Sequence, residues 1–129
     1  MTVLSINARV YRAKNKLGLK DVDFEVLRVS KSPAKVLNEM AAYVAGVMAT
    51  QEDEENPFDP LEFRVYRATD DSGDYISDAT ITLGGPDVTV RYEGGVGYAI
   101  IRYRWCGDFL EVKTNNAPIV GLMEQLSSY

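Results

Sequence analysis

Four acids in a row, Glu52-Asp53-Glu54-Glu55, with Asp59 close behind, and a second acidic group at Asp70, Asp71 and Asp74 are the densest concentrations of ionisable side chains in this sequence. Carboxylates crowded on a loop can attract a basic surface, gather a hard cation, or divide acid and base roles in a hydrolytic pair. The opposite charge is carried by eight Arg and six Lys, and every Arg falls on a segment whose alternation predicts a strand. His is absent and Cys occurs once. The missing imidazole excludes His-containing triads and removes the commonest zinc ligand, and a lone thiol cannot close an intramolecular disulfide. Cys106 sits between Trp105 and Gly107 in an expected turn and reads as a bystander thiol.

The acidic motifs do not extend to a known chemistry. Asp70-Asp71-Ser72-Gly73-Asp74 has the composition of a calcium loop, but its spacing is wrong and the closing Glu position holds Ile81. Gly94-Gly95-Val96-Gly97 has the composition of a phosphate loop, yet no helix pattern follows and the flanking alternation makes it a hairpin turn. No nucleophile elbow, P-loop or paired-Cys motif occurs. Val10-Tyr11-Arg12-Ala13 resembles the first strand of ADP-ribosyltransferases over those four residues, and the other signature elements of that family are absent. The expectation is therefore no catalytic residue, no metal, no cofactor and a non-enzymatic role.

These side chains must be carried by a small framework. The 129 residues are 46% hydrophobic and 26% charged with a net charge of −5, which suits one globular domain over 1–129 and excludes global disorder or a rod. Leu4, Ile6, Ala8 and Val10 alternate with polar residues and predict a strand, Asn15–Gly18 a turn, and Val22, Phe24 and Val26 a returning strand. Ser32-Pro33 reads as an N-cap and first helical residue. From there Leu37, Met40, Ala41, Val44, Val47 and Met48 recur at helical spacing to about Thr50. An acidic, Pro-containing loop covers 51–60. Five short alternating runs follow from Leu61 to Lys113, punctuated by Asp70–Gly73, Gly84–Asp87, Glu93–Val96 and Cys106–Asp108, and Pro118 opens a last helix with Ile119, Leu122, Met123 and Leu126 on one side. The expected fold is α+β: a single antiparallel sheet, order ββα-βββββα, with helices packed on one face.

Arg9-Val10-Tyr11-Arg12-Ala13 recurs as Arg64-Val65-Tyr66-Arg67-Ala68, and seven of fifteen positions agree between 9–23 and 64–78. This predicts a duplicated strand-turn motif. If Val10 and Val65 face the core, then Arg9, Tyr11, Arg64 and Tyr66 face outward, together with Arg91, Arg102 and Arg104. Such an Arg/Tyr face could stack bases and neutralise phosphates. Cross-strand acids, among them Asp78, Glu93 and Glu111, are available to pair the same arginines.

Charge is also segregated along the chain: residues 1–35 carry a net +5, 36–63 a net −7 and 64–129 a net −3. Small acidic α+β proteins of this general character include toxin immunity proteins and phage-encoded inhibitors of host defence, anti-CRISPR proteins among them. The functional expectation is a binding protein that docks on a basic macromolecular partner through Glu52, Asp53, Glu54, Glu55 and Asp59, seconded by Asp70, Asp71 and Asp74. The alternative is a single-stranded nucleic-acid or anionic-ligand binder using Arg9, Tyr11, Arg64, Tyr66, Arg102 and Arg104, although the expectation weighs against nucleic acid. The start of the sequence lacks a basic, apolar leader pattern, and Met40–Ala49 is about half of the ~20 residues a membrane span requires, so a cytoplasmic protein without membrane contact is expected. Finally, Ala42, Ala45, Gly46 and Ala49 form a second apolar stripe on the first long helix, which predicts cover by the last helix or a homodimer through those four residues.

Overall fold

The computed structural model describes residues 13, 15–17, 24–48, 60–115 and 117–128. Within them lie β1 (Phe24–Val29), α1 (Ala34–Met48), β2 (Glu62–Arg67), β3 (Tyr75–Thr82), β4 (Asp87–Glu93), β5 (Ala99–Trp105), β6 (Asp108–Thr114) and α2 (Ala117–Ser127). The strands form one six-stranded antiparallel sheet in the order β1-β6-β5-β4-β3-β2. It is an α+β fold. β2 to β6 run as a meander, and β1 adds to β6, so the chain leaves one edge of the sheet and re-enters at the other. α1 lies against β5 and β6, and α2 against β3 and β4.

Alternation decides which side chains fill the layer between sheet and helices. Val88, Val90 and Tyr92 of β4, Ala99, Ile101 and Tyr103 of β5, and Leu110, Val112 and Thr114 of β6 are all buried. They meet Leu37, Met40, Ala41, Val44, Val47 and Met48 from α1 and Ile119 and Met123 from α2. Recurrence at three and four residues puts each helical set on one side of its helix. The two-residue period puts the strand residues on one face. Between Val26 and Arg28 the β1–β6 register shifts, so Val29 returns to the core where strict alternation would have turned it out.

Several local expectations change. The strand expected at Leu4–Val10 lies outside the described residues, so six strands are seen. Ala13 and residues 15–17 are helical, where a strand end and a turn were expected. Ala13 and Leu17, four apart, are both buried, and this spacing places both on one side of a helical turn. The matching positions Ala68 and 70–72 form a bend and turn closing a β2–β3 hairpin, with Ala68 N–H donating to Asp74 O at 2.9 Å. Over the described positions the two similar stretches thus differ in backbone conformation. Ser32 does not cap α1: the helix starts one residue later, with Leu37 N–H donating to Pro33 O at 3.0 Å. The Ser32 hydroxyl instead donates to the Asp108 carboxylate and meets Ser30 Oγ, which itself accepts from Phe109 N–H. These contacts tie the exit of β1 to the start of β6. Ala42 and Gly46 stay exposed, Ala45 is half-buried against the core, and Ala49 lies outside the described residues. No helix among the described residues is long and apolar enough to cross a membrane.

Candidate functional site

The outer face of the sheet carries Arg64, Arg91, Arg102 and Arg104, as the alternation required, whereas Arg67 lies on the helix side. The pairings align Arg64, Asp78, Arg91, Ile100, Lys113 and Glu25 in one row across all six strands, and Glu62, Thr80, Thr89, Arg102, Glu111 and Arg28 in the next. Opposite charges therefore fall beside one another. Arg91 donates from Nε and Nη2 to the two oxygens of Asp78, both at 2.8 Å. This two-pronged geometry is the strong form of the guanidinium–carboxylate contact. Arg64 Nε donates to Glu62 at 2.6 Å, Lys113 pairs with Glu25 at 3.6 Å, and Glu111 lies between Arg28 at 3.6 Å and Arg102 at 3.8 Å.

Of the alternative ligand-binding set, Arg64, Tyr66, Arg102 and Arg104 all face this side, and Arg9 and Tyr11 lie outside the described residues. The four are not brought together. Arg64 and Tyr66 sit on edge strand β2, whereas Arg102 and Arg104 sit on β5, roughly 14 Å away across two intervening strands. Among the described residues Arg102 Nε is buried without a hydrogen-bond partner, and of the three arginines only the exposed Arg104 lacks a carboxylate within ion-pair distance. A face so neutralised offers little free positive charge to a polyanion.

The acidic residues are arranged differently. Glu52, Asp53, Glu54, Glu55 and Asp59 lie outside the described residues. Asp70, Asp71 and Asp74 are exposed on the turn joining β2 to β3. Asp70 Oδ1 accepts from the N–H of Ser72 at 3.0 Å and from its hydroxyl, and the hydroxyl bond first, then the backbone bond, hold the Asp70 carboxyl below the usual aspartate value. Ser72 Oγ accepts in turn from Asp74 N–H at 3.2 Å, which fixes the turn. At this same end of the sheet the β4–β5 hairpin brings in Glu93 and Val96, and between the two hairpins lies an open groove of about 580 Å³.

The groove wraps the end of the sheet, with Tyr66 on the outer face and Tyr75 on the helix side. Register sets Tyr66, Ile76 and Glu93 side by side on three adjacent strands. Tyr66 is 51% exposed. The Tyr75 ring lies so close to Gly94 that a Cβ there would come within 2.3 Å of it, so only glycine admits this approach. Arg67 lies 5.9 Å above the same ring and donates to Ser127 O at 2.8 Å, at the C-terminal end of α2 where a cation is favoured. Asp74 and Glu93 rim the groove, with Asp70 and Asp71 on the adjoining turn, and no carboxylate of the four has an ion-pair partner among the described residues. Another groove of similar size holds Glu25 with Lys113, and a further one holds Arg104 with Asp87 and Asp108.

The sequence reading missed Tyr75, Glu93 and Val96 as members of this site. Glu93 did have a local signal, since it opens the turn at Gly94-Gly95, but its approach to Asp74 depends on strand order. Among the described residues no three His, Cys, Asp or Glu side chains stand close enough to hold a metal ion. Comparison with family models, curated proteins and solved structures finds no match for this chain.

Proposed function

We propose that this chain is a non-enzymatic, cytoplasmic docking protein that binds a basic macromolecular partner through the acidic end of its sheet. One observation carries the reading: Asp70, Asp71, Asp74 and Glu93, none with an ion-pair partner among the described residues, stand together at one end of the sheet, while Arg28, Arg64, Arg91 and Arg102 of the open face lie within ion-pair distance of acids. A groove lined by Tyr66 and Tyr75 with carboxylates at its rim suits a lysine or arginine side chain, whose stem packs on a ring and whose charge meets Asp74 or Glu93. Excess negative charge outside the groove steers a basic surface toward it. Glu52–Glu55 and Asp59 belong to the same reading as a further acidic contribution. Occupation of a basic groove that otherwise holds nucleic acid is the biological role this chemistry fits, as in inhibitors of nucleic-acid-binding defence proteins, anti-CRISPR proteins included; capping a basic toxin is the other.

The test is affinity purification of the tagged chain from its native host at low and high salt. A basic protein should co-elute at low salt and be lost as salt rises. Joint replacement of Asp70, Asp71 and Asp74 by Ser with Glu93→Gln should weaken capture severalfold, and so should Glu52–Glu55 replaced by Ser. A partner retained unchanged by both variants, or one retained equally at high salt, overturns the reading.

A further inference from the structure

We infer that the free edge of β2 is a self-recognition surface, at which two copies of this chain pair antiparallel about a two-fold axis centred on Phe63. Among the described residues β2 pairs only with β3. Ala68 N–H bonds Asp74 O, and bonding alternates along an antiparallel ladder, so Tyr66, Arg64 and Glu62 exchange bonds with β3. The N–H and C=O of Phe63 and Val65 then point to the open side. Edges are ordinarily blunted by proline, a bulge or a row of like charges. Within Glu62–Arg67 there is no proline and no register shift against β3, and the outward Glu62 and Arg64 carry opposite charges.

Charge and register choose the occupant. Residues facing across a two-fold antiparallel pair must lie on the same face, so the axis can pass only through a residue position. Centred on Arg64, the pairing sets Arg64 against itself. Centred on Val65, it leaves Glu62 beside Ala68. Centred on Phe63, it sets Glu62 opposite Arg64 of the second copy, twice, in the non-hydrogen-bonded positions where side chains approach most closely. The same register lets the Phe63 backbones exchange two bonds. It also covers Leu61, which is 69% exposed, with Val65 of the second copy. The small stripe Ala42, Ala45 and Gly46 offers no comparable complementarity of charge or hydrogen bonding. This inference does not depend on the docking reading, because the residues it uses are separate from the Asp70–Asp74 turn and Glu93.

Analytical ultracentrifugation of the full chain across micromolar concentrations tests it, with Glu62→Arg, Arg64→Glu and the double exchange Glu62→Arg/Arg64→Glu. All these side chains are exposed, so circular dichroism should stay unchanged. The chain should form a dimer, each single reversal should raise its dissociation constant about tenfold or more, and the double exchange should restore it. Hydrogen exchange at the Phe63 amide should slow as concentration rises. A mass near 14 kDa at every concentration overturns the inference. So does protection of that amide that is independent of concentration, which would mean the edge is covered within one chain. A dimer lost on Ala42→Glu but indifferent to the charge reversals would place the contact on α1 and overturn it as well.

Discussion

Tyr92 shows how one side chain couples the sheet to a helix. Its ring is 1% exposed in the core, while its hydroxyl reaches out to donate to Glu124 Oε1 of α2 at 2.6 Å. Burial, and then the bond to Glu124, push the phenol above its ordinary value, and burial does the same at Tyr103. A phenol whose folded value is raised contributes stability that is complete below the unfolded value of about 10 and is lost as pH rises through the folded value. Tyr92→Phe should cost about 1 kcal/mol at neutral pH and flatten the loss of stability above about pH 10. Denaturant midpoints measured against pH check this, and an unchanged alkaline slope would refute it. Asp70 titrates in the opposite sense. Ser72 depresses its carboxyl, so the turn is stabilised above the unfolded aspartate value of about 3.9 and loosens as pH falls through the lower folded value. In an NMR titration Asp70 should lie below the ordinary aspartate value, and Ser72→Ala should raise it toward that value.

At the scale of elements, α1 is the clearest case of a pattern legible in the sequence. Its six buried residues are those expected from helical spacing, and Met40 and Val44 are 0% exposed. The opposite stripe was expected to be covered by the last helix or by a second copy of the chain. Ala42 and Gly46 are exposed, because small residues add little apolar area and an alanine can face water at small cost. Met40→Ala should lower stability by about 2–5 kcal/mol through the cavity it leaves, whereas Ala42→Ser should stay within about 0.5 kcal/mol. Urea unfolding of the two variants measures both, and comparable losses would place Ala42 in a covered interface. The β5–β6 turn is an equally local device. Cys106 at φ 51° and Gly107 at φ 84° are consecutive left-handed residues, the conformation of a two-residue hairpin whose twist matches the strands it joins.

At the scale of the whole molecule, pairing segregates charge among the described residues. The outer sheet face is a lattice of opposite charges, and the hairpin end beside it keeps its carboxylates free. Exposed ion pairs contribute only about 0–1 kcal/mol each to stability, so the consequence of this lattice lies mainly in what the face no longer attracts. The chain should show no retention of single-stranded nucleic acid even at low salt, and Arg104→Ala should change nothing in a filter-binding or polarisation assay. Salt-sensitive binding lost on Tyr66→Ala would instead restore the Arg/Tyr face as the working surface. A dimer through β2 would carry two acidic grooves related by the two-fold, so a partner with two basic sites would be held more tightly than either groove alone permits.

The sequence by itself determined whatever depends on neighbours a few residues away. The two-residue period fixed which side of each strand is apolar, the three- and four-residue recurrences located both long helices, and the glycines marked the turns. The outward direction of Arg64, Arg91, Arg102 and Arg104 follows from the same alternation. Tertiary structure decided everything that depends on which strand lies beside which. Asp78 and Arg91 meet because β3 and β4 are adjacent in that register, and Asp74 shares a groove with Glu93 because two separate hairpins end together. It also decided against local resemblance: Ala68 and its followers turn within a hairpin, while Ala13 and Leu17, from a similar stretch, lie buried on one helical turn. Ala13 and Ala68 end the same five-residue sequence, yet Ala13 is helical and buried and Ala68 is neither, because the core contacts available to each come from residues far away in the chain.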